Sequence, residues 1–389
     1  MKAHSAQVMA IEAVGGKIIS GGKDKRIAII EAKGGNFKLE KFIDISASFP
    51  RSVDFMNGNL LVGLRNGTII EFKGALTADA PTEKNLLSSH FEGEVWGLAL
   101  IDNGNKVLTS GDDNQFKEFN TTDHTFIRAG KMSDHKPKNA ARVKQVTASS
   151  MSIYPANQQC RAIAYSKKHG HVAVANNMGK VSIRDYNDFD KKVCSLKEAL
   201  EWCEVMKYSP DEKFFATGSH DNIVYVYAVS DEGKYSLYKQ FAKHTSFVTA
   251  LDWSEDSTYI RSQCASYEKL YFNVVDKAHD SAGLSNTKGR EWATSSLKLG
   301  WDVQGIHPSG EDGSHINGVG VCKQAGLAAS TDDWGLLNIW NYPVLDNTHE
   351  SSSYTGHSEH VVRAIFNDAG NKLWTVGGQD KSLIQWRKK

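Results

Sequence analysis

A histidine pair and an acidic turn contain the side chains best suited to hold a metal ion. His169 and His171 flank a glycine in KKHGHVAVA, and residues 311–317 read EDGSHIN. A zinc site takes three or four protein ligands, and no third ligand lies close to the histidine pair in the sequence. The acidic turn lacks the spacing of a twelve-residue calcium loop. We therefore predict no metal site and no cofactor, and we place both histidines in a surface hairpin turn.

The sequence also lacks the motifs of common enzyme classes. It contains no glycine-rich phosphate loop ending in Gly-Lys, no G-x-S-x-G nucleophile elbow, no H-E-x-x-H helix and no pair of Cys-x-x-Cys motifs. The five cysteines are odd in number and scattered, which argues against a disulfide framework. They are expected to be buried thiols in a reducing compartment, and the protein is predicted not to be an enzyme.

The elements that position these residues follow from a repeated stretch. Four copies place an aspartate six residues before a bulky apolar residue, at the start of a strand with alternating apolar positions. These copies are GGKDKRIAII (21–30), SGDDNQFKEF (110–119), GSHDNIVYVY (218–227) and GGQDKSLIQW (377–386). A fifth copy at 330–340 has one residue of slippage, and three degenerate copies lie at 63–72, 176–185 and 264–272.

These eight copies define the predicted fold class. Most spacings between successive turns are 42 to 47 residues, and two are near 65. Each copy after the first also follows an upstream strand of alternating apolar residues. A period in the forties with four short strands per repeat is typical of a propeller blade. The sequence therefore predicts an all-β fold, a β-propeller with eight repeat units in the sequence.

The recurring turns resemble the WD-repeat pattern, in which a histidine, a serine or threonine, the turn aspartate and a strand tryptophan form a buried hydrogen-bonded set. Phe119 and Tyr227 stand in the tryptophan position of two copies, and Val376 stands where the last copy should carry its hydroxyl. Because such a set satisfies buried polar groups, we predict a structural role for it, not a catalytic one. The residues assigned to it are His90, Thr109, Asp113, Thr217, Asp221, His357, Asp380 and Trp386.

Strand counting predicts how the propeller closes. The sequence ends after a third strand, LIQWRKK, so the last blade lacks an outer strand. Residues 36–45 alternate apolar positions and are predicted to supply it, because closure removes an unpaired edge. Residues 36–389 then form seven blades, and residues 1–35 are three strands resembling the last blade of a preceding propeller. The alternative is an eight-bladed ring with one open outer edge.

Two insertions interrupt the period, near residues 122–159 and 280–318. The first is polar and is predicted to be an exposed loop. The second carries Trp292 and Trp301 and is predicted to pack on the propeller. The basic residues of interest are Lys131, Lys136, Lys138, Arg142 and Lys144 in the first insertion, and Arg387, Lys388 and Lys389 at the end of the sequence. They are interpreted either as solvated charge or as contacts to an acidic partner surface.

Composition limits the classes of partner. The 389 residues include 46 basic and 45 acidic ones, so no overall field favours nucleic acid. No run of 18 apolar residues is present, which predicts no membrane span. The opening MKAHSAQVMAIEAVGGK lacks the apolar centre of a secretion signal, so a cytoplasmic location is expected.

The second insertion carries a family resemblance. EWAT at 291–294 and LG at 299–300, with the Pro, Gly and Ile-Asn positions that follow, look like the C-terminal propeller of the echinoderm microtubule-associated protein-like (EML) family. EVWGLAL, HTSFVTALDWSEDS and VGGQDKSLIQWR agree in the same order. The resemblance covers nearly the whole chain apart from 122–159, and it corresponds to the second propeller and the end of the first.

This resemblance implies a non-enzymatic cytoskeletal module that associates with microtubules and tubulin. Other cytoskeletal or ciliary proteins are further implied partners, and the axoneme is one implied setting. The family's trimerising coiled coil has no counterpart here, because the sequence has no heptad run. The alternative function is a WD-repeat scaffold or adaptor for other protein partners. The basic residues named above are the predicted partner contacts.

Overall fold

Short apolar strands and polar turns account for almost all of the structure. The computed structural model describes residues 2–46, 48–132, 158–307 and 315–388. Residues with positive φ lie in many of the turns between strands, such as Asn114 (φ 67°) and Asn222 (φ 70°), each of which directly precedes a strand, and asparagine tolerates this conformation better than most side chains. The chain divides into two compact units, Met1–Phe91 and Glu92–Lys389.

The first unit contains two four-stranded antiparallel sheets, each built from strands consecutive in the chain. Its strands are β1 (Val8–Val14), β2 (Lys17–Gly22), β3 (Arg26–Lys33), β4 (Asn36–Asp44), β5 (Pro50–Met56), β6 (Asn59–Leu64), β7 (Ile69–Lys73) and β8 (Thr82–Leu87).

The second unit contains six sheets of the same kind, the last with three strands in the described residues. Its strands are β9 (Val95–Ile101), β10 (Lys106–Gly111), β11 (Gln115–Asn120), β12 (Thr125–Lys131), β13 (Cys160–Ser166), β14 (His171–Asn176), β15 (Val181–Asp185), β16 (Lys192–Leu196), β17 (Cys203–Tyr208), β18 (Phe214–Ser219), β19 (Ile223–Val229), β20 (Tyr235–Ala242), β21 (Val248–Trp253), β22 (Tyr259–Cys264), β23 (Lys269–Asn273), β24 (Ala278–His279), β25 (Ile316–Cys322), β26 (Leu327–Asp332), β27 (Leu336–Asn341), β28 (Ser351–Thr355), β29 (Val361–Phe366), β30 (Lys372–Gly377) and β31 (Leu383–Arg387).

Within residues 2–46, 48–132, 158–307 and 315–388, helical structure is confined to three short segments. These are α1 (Gly283–Asn286) and two 3-10 turns at Asp102–Gly104 and Gln304–Ile306. In the part of the chain that the structure describes, no helix is long and apolar enough to cross a membrane. The eight sheets correspond to the eight predicted repeat units, so the all-β WD-repeat propeller prediction is confirmed.

The core of the second unit lies between neighbouring sheets. Ala216 on β18 and Leu251 on β21 share one buried cluster, and such clusters join most successive pairs of sheets. The last sheet packs against the first: Val107 and Trp374 belong to one cluster. Gly104 makes this contact close, because a Cβ there would lie 2.2 Å from the Trp374 ring. Packing therefore closes the second unit into a ring.

The predicted role of residues 36–45 is corrected by the strand pairing. Strand β4 pairs antiparallel with β3, with Arg26 opposite Asp44, and completes the first sheet. The physical reason is local: Gly34 and Gly35, with φ of 57° and 79°, form a two-residue turn that folds β4 back on β3.

The prediction that residues 36–389 form a single ring of seven blades is corrected as well. Val95 N donates to Gly378 O at 3.1 Å, so the sheet β9–β12 lies directly beside the sheet β29–β31. The sheet β5–β8 belongs to the first unit. The predicted boundary at residue 36 falls within the first sheet, between β3 and β4.

The described part of the second insertion contacts both the sheet β21–β24 and the sheet β25–β28. Trp292 forms an isolated antiparallel bridge with Ser254. Lys298 N donates to Gln263 Oε1 at 2.6 Å, and Lys298 Nζ donates to Ile316 O on the next sheet. Trp292 is partly buried, whereas Trp301 is 65% exposed. The segment thus packs on the propeller through the first tryptophan and not through the second.

Candidate functional site

Two faces of the second unit can be defined from its turns. Turns between first and second strands contact one another in neighbouring sheets: Asp368 N donates to Asn103 Oδ1 at 2.7 Å, and Asp211 N donates to Ser257 Oγ at 3.1 Å. We call this end of the second unit the lower face. The opposite end, which carries the turns between second and third strands, is the upper face.

The predicted basic contacts divide between these faces. Lys131 ends β12 opposite Gln115, beside a second-to-third turn, and is therefore exposed on the upper face. Arg387 ends β31 opposite Lys372, beside a first-to-second turn, and is exposed with Lys388 on the lower face. Lys136, Lys138, Arg142, Lys144 and Lys389 lie outside the described residues. Lys131 and Arg387 therefore do not belong to one continuous patch.

The predicted turn set is complete in the last sheet. His357 Nδ1 lies 2.9 Å from Asp380 Oδ2, and His357 Nε2 lies 2.7 Å from Thr375 Oγ1. Trp386 Nε1 donates to the same Thr375 oxygen at 2.8 Å. Burial lowers the pKa of His357, although the hydrogen bond and charge of Asp380 oppose this effect. A carboxylate, an imidazole and a hydroxyl in this order resemble a catalytic triad. Thr375, however, is fully buried and out of reach of a substrate.

The hydroxyl of this set was assigned to the wrong position. Thr375 supplies it, and not residue 376. Successive strand side chains point to opposite faces. Val376 therefore packs in the apolar cluster that contains Trp374, while Thr375 faces the histidine. A one-residue offset in the alignment of the repeats hid this threonine.

The other assigned copies are less regular. Asp221 accepts from Leu200 N at 2.8 Å and from the Tyr225 hydroxyl at 2.7 Å, so a tyrosine occupies the place of the missing histidine. Thr217, on the neighbouring strand β18, is buried. In the remaining copy, Thr109 and Asp113 are buried in the second unit and His90 is buried in the first.

The histidine pair of the sequence lies deeper than predicted. His171 starts β14, is buried, and places Nδ1 3.0 Å from the Tyr235 hydroxyl. His169 stays in the preceding turn, with its ring centroid 5.8 Å from that of His171. A surface turn is therefore correct for His169 and wrong for His171, because β14 is enclosed on both faces.

The six first strands of the second unit surround a cavity of about 560 Å³. A small or β-branched residue from each strand borders it, which leaves the centre open. These residues are Gly97 on β9, Ala162 on β13, Val205 on β17, Ala250 on β21, Gly320 on β25 and Ala364 on β29. A second cavity of about 440 Å³ opens towards the upper face and is bordered by charged and aromatic side chains.

Glu204 is the central anion of this upper cavity. It accepts from Arg363 Nη2 at 3.1 Å, and His220 Nε2 and Arg161 Nη2 lie at 3.3 Å and 3.7 Å. Burial would raise the pKa of Glu204, but the His220 hydrogen bond and the two arginine charges hold that pKa well below its usual range. The charged side chains of the cavity are thus largely paired with one another. Such pairing is expected to hold the upper face of the second unit rigidly in place.

Aromatic stacking fixes one of these cations. The guanidinium carbon of Arg161 lies 3.2 Å from the ring centre of Trp96 and 3.7 Å from that of Trp202. Arg161 is buried, so the two rings stabilise a largely desolvated charge. This stack is not predictable from the sequence, because nothing in the spacing of residues 96, 161 and 202 indicates that they meet.

The buried carboxylate of Asp252 anchors the insertion. Asp252 lies 2.8 Å from Lys207 Nζ and 3.1 Å from Arg261 Nη2, and it accepts from Ser296 N at 3.1 Å. Burial would raise the pKa of Asp252, but the Lys207 and Arg261 charges hold it well below its usual range. The carboxylate thereby ties the chain around Ser296 to β21.

Exposed apolar side chains form an arc on the upper face. Met178, Tyr267 and Trp334 lie in three second-to-third turns, and Leu200 and Phe247 lie in the loops that precede β17 and β21. Trp334 is 64% exposed and Leu200 78% exposed. Apolar residues at predicted turn tips are the sequence signal that indicates this surface. We call these five residues the apolar arc; it is the strongest candidate contact surface in the described part of the second unit.

Comparison with known proteins gives one family for this chain. The family model described as the Echinoderm microtubule-associated protein second beta-propeller matches residues 95–388, a range that falls within the second structural unit. The "Ciliary WD repeat-containing protein ctxp80" of Euplotoides octocarinatus is 41% identical over 386 residues, which is 98% of this chain and 51% of that protein.

Two further relatives carry the family name. The "77 kDa echinoderm microtubule-associated protein" of Strongylocentrotus purpuratus is 30% identical over 95% of this chain and 50% of its own length. "Echinoderm microtubule-associated protein-like 1" of Rattus norvegicus is 32% identical over 99% of this chain and 44% of its own length. This chain spans about half the length of these relatives. On the match of the propeller model and its fold, the chain belongs to the echinoderm microtubule-associated protein family.

Proposed function

We propose that this chain is a non-enzymatic binding module of the cytoskeleton whose partner is the microtubule or its tubulin subunit. Family membership over residues 95–388 carries the proposal, together with relatives named as microtubule-associated proteins. The ciliary relative makes the cilium and its axoneme a natural setting within the cytoplasm. Enclosed polar sets and exposed turn tips also favour binding over catalysis.

Electrostatic attraction is the proposed source of the initial contact. The microtubule surface is acidic, so basic residues exposed on the module would attract it. Lys131 supplies such charge on the upper face, and Arg387 and Lys388 supply it on the lower face. Attraction between exposed charges falls as ionic strength rises, because the Debye length shortens to about 8 Å at physiological salt.

The test is co-sedimentation of the chain with taxol-stabilised microtubules across a salt series, with a thermal melt as a folding check. Pelleting at low salt that weakens as salt increases is the expected result. Removal of the acidic tubulin tails by protease should then reduce pelleting in the same way. Binding that is unchanged from low to high salt would contradict the electrostatic part of the proposal.

A scaffold or adaptor function is the second candidate, and the apolar arc favours it. Apolar turn tips such as Trp334 suit a protein or peptide partner more than a highly charged polymer. This candidate predicts that the folded chain stays in the supernatant with microtubules even at low salt. The same co-sedimentation experiment therefore separates the two functions.

A further inference from the structure

A histidine, a cysteine and a glutamate meet at the upper end of the sheet β21–β24. His244 Nδ1 lies 3.6 Å from Glu268 Oε2, and Cys264 Sγ lies 3.3 Å from the same oxygen. The three ligand atoms all fall within 4.8 Å of one another. His244 and Cys264 are buried, whereas about a third of the Glu268 side chain is exposed. The cluster is therefore enclosed on the protein side and open towards solvent at the carboxylate.

The same position at the end of two other sheets carries a histidine and a carboxylate but no cysteine. In the first sheet His4 Nδ1 lies 2.9 Å from Asp24 Oδ1, and in the last sheet His357 Nδ1 lies 2.9 Å from Asp380 Oδ2. Both are direct histidine–carboxylate hydrogen bonds. The 3.6 Å separation at His244 is too long for such a bond.

Strand register explains the difference. Gly22 pairs with Val8 and Gly377 with Val361, and Cys264 pairs with Val248 at the same place in its own sheet. A Cβ at Gly22 would lie 2.4 Å from His4 Nδ1, and one at Gly377 would lie 2.5 Å from His357 Nδ1. A side chain at this position is thus incompatible with the direct hydrogen bond. Cys264 stands between the histidine and the carboxylate.

The hydrogen bonding of His244 leaves Nδ1 available as a ligand. Its Nε2 lies 2.7 Å from Ser262 Oγ, whereas its buried Nδ1 has no hydrogen-bond partner. A metal-binding histidine usually donates its second ring N–H to a neighbouring acceptor, and the Ser262 hydroxyl is placed to accept it.

We propose that His244 Nδ1, Cys264 Sγ and Glu268 Oε2 bind a zinc ion. Bond lengths of about 2.0–2.3 Å in a tetrahedral site place ligand atoms roughly 3.3–3.8 Å apart. The two separations from Glu268 Oε2 already fall in this range. Binding converts the Cys264 thiol to a thiolate, and the released proton passes to solvent. Three protein ligands leave the fourth position to water.

The proposed zinc site lies beside two residues of the apolar arc on the upper face. His244 lies in the same loop as Phe247, between β20 and β21, and Glu268 follows Tyr267 in the turn between β22 and β23. Glu268 Oε2 already accepts from Thr245 N at 2.9 Å. A bound zinc ion would therefore fix the two segments that present Phe247 and Tyr267 of the apolar arc.

Cobalt substitution tests the proposal on the whole chain. Co²⁺ replaces Zn²⁺ in such sites, and thiolate ligation gives it a charge-transfer absorption that zinc lacks. We expect one Co²⁺ per chain with this absorption, displaced by an equimolar amount of Zn²⁺. Cys264→Ala should abolish the absorption, and Glu268→Gln should weaken Co²⁺ binding by about tenfold or more.

The matched control is Cys203→Ala, because Cys203 is a buried free cysteine whose Sγ faces the Gly179 carbonyl and no histidine. This variant should keep the full absorption. If thermal melts show that Cys264→Ala does not fold, Glu268→Gln decides the outcome, because its side chain is partly exposed and isosteric. Co²⁺ binding without thiolate absorption, or with absorption and affinity unchanged in the Cys264 and Glu268 variants, would overturn the proposal.

Discussion

Arg363 reaches Glu204 across the centre of the second unit. Its Nη2 atom donates to the Glu204 carboxylate at 3.1 Å and to the Glu204 backbone carbonyl at 2.7 Å. Arg363 lies on β29 and Glu204 on β17, so one side chain joins two sheets that are far apart in the sequence. Arg161, on β13, lies 3.7 Å from the same carboxylate. One anion therefore holds cations from two further sheets.

Glu204→Gln should destabilise the second unit. The substitution keeps the size of the side chain but removes the carboxylate charge that faces Arg161 and Arg363, and Arg161 is buried. Removal of one partner of a buried ion pair costs about 3–5 kcal/mol, and the partial exposure of Glu204 places the expected loss near the lower end of that range. Urea unfolding followed by tryptophan fluorescence measures it.

The control for this experiment is Asp231→Asn. Asp231 pairs with Lys168 at 2.8 Å on the exposed surface, where ion pairs contribute little. Its urea midpoint should match that of the unsubstituted chain. A Glu204→Gln midpoint as high as that of Asp231→Asn would show that the arginines are solvated without the carboxylate.

Thr375→Val should destabilise the last sheet although it preserves shape. The Thr375 hydroxyl joins His357 Nε2 to Trp386 Nε1, and both ring nitrogens lose their partner in the variant. Leaving a buried donor or acceptor unsatisfied costs about 1–3 kcal/mol. Thermal melts should show a lower midpoint for Thr375→Val and no change for Thr125→Val, whose hydroxyl bonds Asp123 on the surface.

The sequence was sufficient to predict the repeat units because each blade is a local structure. Every sheet pairs strands that follow one another in the chain, so alternation and turn chemistry determine it within about forty residues. The arrangement of sheets was not predictable in the same way. It depends on contacts such as Val107 with Trp374, which join distant segments and leave no periodic signal.

The site residues that could be predicted lie within one repeat, and those that could not come from different repeats. His357 and Asp380 were predicted because the repeat places them at fixed positions, and the structure joins them. The Trp96–Arg161–Trp202 stack was missed because its members come from three different blades. Patterns within one repeat report local contacts only, whereas the centre of a propeller is built from one or two residues of every repeat.

Lowering the pH below neutrality should reduce stability through the buried His357. Burial lowers the folded-state pKa of His357, so the unfolded chain takes up this proton first as the pH falls. The contribution of the neutral, buried imidazole to the free energy of unfolding is complete above about pH 6.5, the pKa of an unfolded histidine. It is lost as the pH falls towards the lower pKa of the folded state. Urea midpoints should decline over this interval, and His357→Asn should show a smaller decline. An equal decline in both chains would contradict the assignment to His357.

The division of the basic residues between two faces makes the proposed microtubule contact testable by face. Replacing Lys131, Lys136, Lys138, Arg142 and Lys144 with glutamine removes charge from the first insertion, and replacing Arg387, Lys388 and Lys389 removes it from the end of the chain. If the insertion makes the contact, only the first variant loses pelleting at low salt. Exposed charges contribute little to stability, so both variants should melt as the unsubstituted chain does.

The matched control replaces three lysines exposed elsewhere in the second unit, Lys234, Lys243 and Lys288. This control separates a located contact from a general effect of net charge, since it removes the same charge as the triple substitution at Arg387–Lys389. Equal losses of pelleting in all three variants would show non-specific attraction to the polymer. A loss in the Arg387–Lys389 variant alone would move the contact to the lower face. Loss of folding in the insertion variant would mean instead that these residues are part of the structure.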